Sequence, residues 1–206
     1  FCKNSIYKLS NINDADTIAI TPITKNVGCL DGHSIQEIGG DLLFLSPDGF
    51  RLVAGTERIG DVELGSVSRQ IQSVVSTIAK SIDGFFVSSA VLRSKSQYRF
   101  FYSAATGTTG TSKGLIGTIT PNGFEWSETI GIQAHGFASG LDYSNIEQIY
   151  HGDSAGYVYN HNTGNDFNPA GVQTNINARY KTPNLDFGDA GTLKSLHYTK
   201  ISFTPE

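Results

Sequence analysis

Phe44-Leu45-Ser46-Pro47-Asp48-Gly49-Phe50-Arg51-Leu52 lines up with Thr118-Ile119-Thr120-Pro121-Asn122-Gly123-Phe124-Glu125-Trp126. In both, a strand-like run enters a Ser/Thr-Pro-Asp/Asn-Gly turn and leaves through an aromatic. Proline presets the first turn dihedral, Asp or Asn bonds its local backbone, and glycine accepts the positive φ that reverses the chain. Each stretch therefore reads as a β-hairpin. A third version is Gln148-Ile149-Tyr150-His151-Gly152-Asp153-Ser154-Ala155-Gly156-Tyr157-Val158-Tyr159, with Gly156 in the turn. A fourth, without glycine, joins Phe85-Phe86-Val87 through Ser94-Lys95-Ser96-Gln97 to Tyr98-Arg99-Phe100-Phe101-Tyr102. The markers Gly49, Gln97, Gly123 and Gly156 follow one another at 48, 26 and 33 residues. Their mean lies near the roughly 40–45 residues of a four-stranded propeller blade, with wide scatter. The expectation is an all-β fold, a β-propeller-like array of short antiparallel sheets over residues 1–206; a sandwich also fits this rhythm.

Composition agrees with sheets. The 206 residues include 23 Gly, 12 Phe and 9 Tyr, and only 17% are charged, against roughly 25% in an ordinary domain. Glycine suits turns and aromatics suit pleated, half-buried surfaces. The absence of Met suggests a segment of a longer or processed chain. Phe1-Cys2-Lys3 has no signal-peptide character, and the longest apolar runs, such as residues 42–45, are far too short to span a bilayer. Cys2 and Cys29 read as free thiols of a reducing compartment, with a pairing as the alternative. No Asn-x-Ser/Thr acceptor occurs. The net charge is −4, and no basic stripe of the kind that grips nucleic acid is visible.

One stretch breaks the β pattern. Between Ser66 and Ile82 the apolar residues Val67, Ile71, Val74, Val75, Ile78 and Ile82 share one helical face, which predicts a short helical insertion at about 66–82. Residues 106–112 and 160–171 read as loops, and 176–181 and 193–204 as strands.

The search for chemistry finds little. Gly107 to Gly114 lacks the Gly-Lys-Ser/Thr of a phosphate loop and precedes a strand rather than a helix. Gly32-His33-Ser34-Ile35-Gln36 starts like a nucleophile elbow, but Gln36 replaces the closing glycine. His33, His135, His151, His161 and His197 have no ligand-like spacing. Asn160-x-Asn162-x-Gly164 places Gly171 where a calcium loop needs a bidentate Glu, and Asp14-Ala15-Asp16 reads as a turn. No paired carboxylates or grouped arginines (Arg51, Arg58, Arg69, Arg93, Arg99, Arg179) suggest a glycosidase. Trp126, Tyr157 and Tyr159 suit either a carbohydrate platform or packing between sheets. No catalytic residue, cofactor or metal is expected.

Two longer stretches carry a family resemblance. One is Gly39-Gly40-Asp41-Leu42-Leu43-Phe44-Leu45-Ser46-Pro47-Asp48-Gly49-Phe50-Arg51, continuing through Gly55-Thr56-Glu57-Arg58-Ile59-Gly60-Asp61-Val62 to Ser68, Ile71 and Val74. The other is Ala178-Arg179-Tyr180-Lys181-Thr182-Pro183-Asn184-Leu185-Asp186-Phe187-Gly188-Asp189, followed by Lys194. Together they resemble the β-propeller region of the tail nozzle, or tail tubular, proteins of short-tailed bacteriophages. The resemblance implies a structural virion protein of the tail and a homohexameric tube below the portal-adaptor ring. DNA would pass through that tube during ejection, and tail fibres or other tail proteins would attach outside. Such proteins are usually much longer than this chain. The 66–82 segment would then pack at the propeller periphery or against a neighbour. The alternative expectation is a receptor- or carbohydrate-binding propeller without catalysis.

Overall fold

The computed structural model of the chain describes residues 1–59, 66–104, 113–132, 134–161, 163–164, 166–167, 174–175, 191, 193–195, 198, 200 and 202. They fall in two compact units, Phe1–Gly164 and Asn165–Glu206. The all-β expectation holds. In the second unit the described strands are β13 (Asp166–Phe167) and β14 (Thr174–Asn175), an antiparallel pair. Thus β13 lies inside a stretch that reads as loop. Residues 106–112 and 176–181 and half of 193–204 lie outside the described residues, as does nearly all of the second resembling stretch.

In the first unit, β1 (Ile6–Ser10) and β2 (Ala19–Thr24) form a hairpin. Three up-and-down antiparallel sheets follow: β3 (Gln36–Ile38), β4 (Asp41–Ser46) and β5 (Gly49–Leu52); β6 (Phe85–Leu92), β7 (Gln97–Ala104), β8 (Lys113–Thr120) and β9 (Gly123–Ile130); and β10 (Gly136–Leu141), β11 (Glu147–Gly152) and β12 (Val158–Asn160). The turn residues locate the corners well. Ser46 pairs with Gly49 across Pro47-Asp48, and Thr120 pairs with Gly123 across Pro121-Asn122. Each glycine has positive φ, 141° and 112°. Each preceding hydroxyl also hydrogen-bonds that glycine's carbonyl, at 2.6 Å from Ser46 and 2.9 Å from Thr120. At the corner without glycine, Ser96 takes the left-handed conformation itself, with φ 51°.

The repeat is not the one the four markers suggest. Gly49, Gly123 and Gly156 each mark the last hairpin of a sheet, whereas Gln97 begins the second strand of the sheet whose last hairpin holds Gly123. Counting all four as equivalent mixes two kinds of corner.

The first strands of the three sheets lie side by side, β6 against β3 and against β10. Their side-chain ties show that they run parallel. Gln36 reaches Ser89 O and Glu37 reaches Arg93, so β3 ascends with β6. Ser88 reaches Ala134 O, and Glu147, paired with Leu141, accepts from the backbone N–H groups of Arg93 and Ser94 at 2.8 Å. So β10 ascends with β6 as well.

The main core lies between the first two sheets. Leu43, Leu45 and Phe50 meet Tyr98 and Phe100, with Phe50 edge-on to both rings at 5.5 and 5.3 Å. Burying each such side chain contributes about 1.5–3 kcal/mol. A second cluster, Ile6, Val27, Cys29 and Phe44, joins the opposite face of β4 to the first hairpin. Cys2 and Cys29 are both free thiols.

The helical insertion is present but shorter. Helix α2 spans Gln72–Ser81, flanked by 3-10 turns at Arg69–Ile71 and Ile82–Gly84. All six apolar residues of the expected face reach the main core, Val75, Ile78 and Ile82 as buried residues and Val67, Ile71 and Val74 as partly buried ones. The helix starts late because Ser66 bridges to Arg51 and Val67 N bonds Phe50 O at 2.8 Å, which adds a rudimentary fourth strand beside β5. A helix not expected from sequence, α1 (Val53–Ile59), follows β5 directly. Its first turn is capped from a distance by Asp41, whose carboxylate accepts from Ala54 N at 3.1 Å.

Candidate functional site

The N-terminal ends of β3, β6 and β10 border a cleft of about 640 Å³, lined among others by Asp31, His33, Gln36, Phe86, His135 and Phe137. Asp31 caps the 3-10 turn Gly32–Ser34, accepting from His33 N at 2.7 Å. Ser34 is fully buried. Its hydroxyl donates to Asp31 O at 2.6 Å and accepts from Leu45 N at 3.1 Å, while Tyr98 Oη donates to Ser34 O at 2.8 Å. The residue that stands where a nucleophile elbow would carry its serine is therefore a rivet between sheets. Ser89 donates to His33 O at 2.5 Å and Gln36 to Ser89 O at 3.0 Å. Much of the polar lining is engaged in holding its own backbone, and Phe86 is tilted on His135 at 5.3 Å at the cleft.

The three aromatics of a possible sugar platform are not brought together. Trp126, on β9, stacks on Phe50 at 4.9 Å and on Phe124 at 5.7 Å. Its indole N–H donates to Val67 O at 2.8 Å. Gly117 lies opposite, and a Cβ there would meet the indole ring at 2.9 Å. Trp126 is a packing residue. Tyr159 stacks on His151 at 4.8 Å and donates to Asp153 at 3.1 Å, leaving Tyr157 half exposed.

Sequence spacing gave no reason to join any histidines, yet two of them meet. His151 Nδ1 lies 2.6 Å from His161 Nε2, and His161 Nδ1 lies 3.3 Å from Arg99 Nη1 on β7. Phe137 and Phe101 stand edge-on to His161, at 5.0 and 6.1 Å. Burial first, then His151 and Arg99, depress the His161 pKa to about 3. Burial also holds His151 below its ordinary value, against the pull of Asp153. Strand alternation carried part of the signal, since Tyr159 and His161 are two apart and His151 pairs with Tyr159. Arg99 is too distant in sequence to be found that way. His33 and His135 lie at the cleft, and His197 lies outside the described residues.

The remaining candidates resolve into architecture. Arg51 is completely buried on β5 and holds Asp48 through Nε at 3.0 Å and through Nη2. Partial burial disfavours the Asp48 carboxylate, but its bonds from Arg51 and Ser46 prevail and keep its pKa below the usual value. Arg93 pairs with Glu37 at 2.9 Å, and Arg99 also donates to Gln97 at 3.0 Å. Asp14 accepts from Asp16 N and Thr17 Oγ1 within the turn of the first hairpin. The side chain of Arg58 and all of Arg179 fall outside the described residues, as do residues 107–112 of the phosphate-loop candidate and most of 165–171 of the calcium-loop candidate. Among the described residues, no three His, Cys, Asp or Glu side chains converge as a metal site. No helix among them is long and apolar enough to cross a membrane. No protein-family model, curated protein or solved structure matches the chain.

Proposed function

We propose that the chain is part of a β-propeller and acts without catalysis, as a structural element of a phage tail nozzle. The observation that carries the propeller reading is the parallel row of first strands, β3, β6 and β10, each leading outward into its own antiparallel meander. Radial repetition of small sheets about a row of inner strands is the propeller solution to edge protection. The Ser66–Val67 bridge beside β5 supports it further, by bringing the first sheet close to four strands.

The nozzle reading rests on the family resemblance. The resembling residues Ser46, Asp48, Gly49, Phe50 and Arg51 form a corner tied together by its own hydrogen bonds and anchored in the core through Phe50, in keeping with a motif that serves architecture. Exposed apolar side chains also support work through association. Tyr7, Leu9, Ile12, Ile18 and Ile20 lie on the first hairpin, and Leu141, Tyr143, Ile146 and Val158 on the β10–β12 sheet. Exposed apolar side chains gathered on one element are of the kind found at interaction sites. In this reading copies form a hexameric tube in the virion tail, next to a portal-adaptor ring and other tail proteins. DNA passes through without sequence-specific contact, and the negative net charge suits such a lumen.

Single-particle imaging of the native assembly containing this sequence tests the proposal: a sixfold tube is expected, and a monomer in the native particle overturns it. The receptor-binding alternative loses its principal aromatic, Trp126, to packing. Glycan-array binding that disappears on Tyr157→Ala with folding intact would revive it.

A further inference from the structure

The seam between the β6–β9 and β10–β12 sheets is closed by a chain of groups that the structural role does not call upon. A guanidinium only donates hydrogen bonds, so His161 Nδ1, facing Arg99 at 3.3 Å, accepts and carries no proton. The His161 proton is then on Nε2 and points at His151 Nδ1, 2.6 Å away. His151 in turn keeps its own proton on Nε2. Both rings are neutral, and each nitrogen between them is committed. A further proton on His161 Nδ1 would face the Arg99 donors, and one on His151 Nδ1 would face the His161 N–H. Either site breaks one of the two bonds.

We propose that the Arg99–His161–His151 relay is an acid-sensitive latch, closed while both imidazoles are neutral and released, with the β10–β12 sheet, when they take up protons.

The surroundings favour release over accommodation. β7 contributes Arg99, a cation, and Phe101; β10 contributes Phe137; β12 contributes Tyr159, stacked on His151. Gln97, also on β7, accepts from Arg99. Among the described residues the carboxylate acting on this cluster is Asp153, between β11 and β12, and it favours charge on His151. A released histidine protonates near its ordinary value of 6.5, whereas the latched His161 does so only near 3. The open seam therefore binds more protons across that interval. Stability of the seam is complete above about pH 6.5 and is lost as the pH falls toward 3.

The test is hydrogen exchange on the whole chain at pH 7 and pH 4.5, corrected for the intrinsic pH dependence of exchange. On going to pH 4.5, amides of β10–β12 are expected to exchange faster by at least about tenfold, with β4 and β5 little changed. His161→Gln keeps an acceptor toward Arg99 and a donor toward His151 without titrating, and most of the acceleration is expected to vanish. No acceleration in the wild type, or equal acceleration in the variant, overturns the proposal. If the variant does not fold, titration of the wild-type imidazole Cε1–H signals decides. Protonation of His161 that coincides with lost β10–β12 protection supports the latch, and protonation with protection intact overturns it.

Discussion

Two corners of the same shape hold different chemistry, and that difference is measurable. At the first, Asp48 is gripped by Arg51, a fully buried guanidinium. At the second, the corresponding residues are Asn122 and Glu125, both exposed. Removing the half-buried Asp48 carboxylate takes a counter-charge from a fully buried guanidinium. Asp48→Ala is therefore expected to cost on the order of 3 kcal/mol in urea unfolding, and Asn122→Ala under about 1 kcal/mol. Equal costs would show that the Arg51 pair adds nothing beyond the turn. Since Asp48 titrates below its ordinary value of 3.8, its contribution is in place above that pH and is lost as the pH falls through the lowered folded value. Trp126, the one tryptophan, reports on a second residue-scale fit. Gly117→Val would thrust methyl groups into the indole ring, with an expected loss of about 1–3 kcal/mol and a red-shifted emission. Unchanged fluorescence would mean that the ring is not seated over β8.

At the scale of elements, legibility follows how local the cause is. The hairpins at Gly49, Gly123 and Gly156 were readable because proline, Asx and glycine act within four residues. The amphipathic face of α2 was readable for the same reason. By contrast, α1 contains Val53, Gly55 and Thr56, poor helix formers, and is secured by Asp41 from 13 residues upstream. The strand β10, Gly136-Phe137-Ala138-Ser139-Gly140-Leu141, has weak strand propensity and owes its place to pairing with β11 and packing on β6. The histidine relay belongs to the same class, since Arg99 lies on β7, far away in sequence. Ties between sheets were equally invisible. Glu147 is the clearest case: burial disfavours its charge, but the backbone N–H groups of Ser94 and Arg93 together outweigh it and hold its pKa below the usual value. Glu147→Ala is expected to accelerate exchange of the Arg93 and Ser94 amides by about tenfold or more while α2 is unaffected. No change at those two amides would show that the tie is absent in solution.

For the whole molecule, the decisive fact is where the hydrophobic mass lies. Both buried clusters, and the partly buried side chains packed against them, run from Ile6 to Trp126. The first compact unit ends at Gly164, so among the described residues both clusters lie within that unit. A chain ending at Gly164 is therefore expected to fold cooperatively and to keep its strand-type circular dichroism. A loss of about 1 kcal/mol would lower its Tm by only about 2–4 °C. The proposed assembly makes a separate demand, because self-association depends on surface as well as on core. The shortened chain would fold whether or not it joins a tube, which separates the two questions experimentally. Sedimentation beside thermal unfolding distinguishes them: a folded chain with altered association places the assembly contacts beyond Gly164, whereas an unfolded one refutes the claim that the first unit is complete in itself.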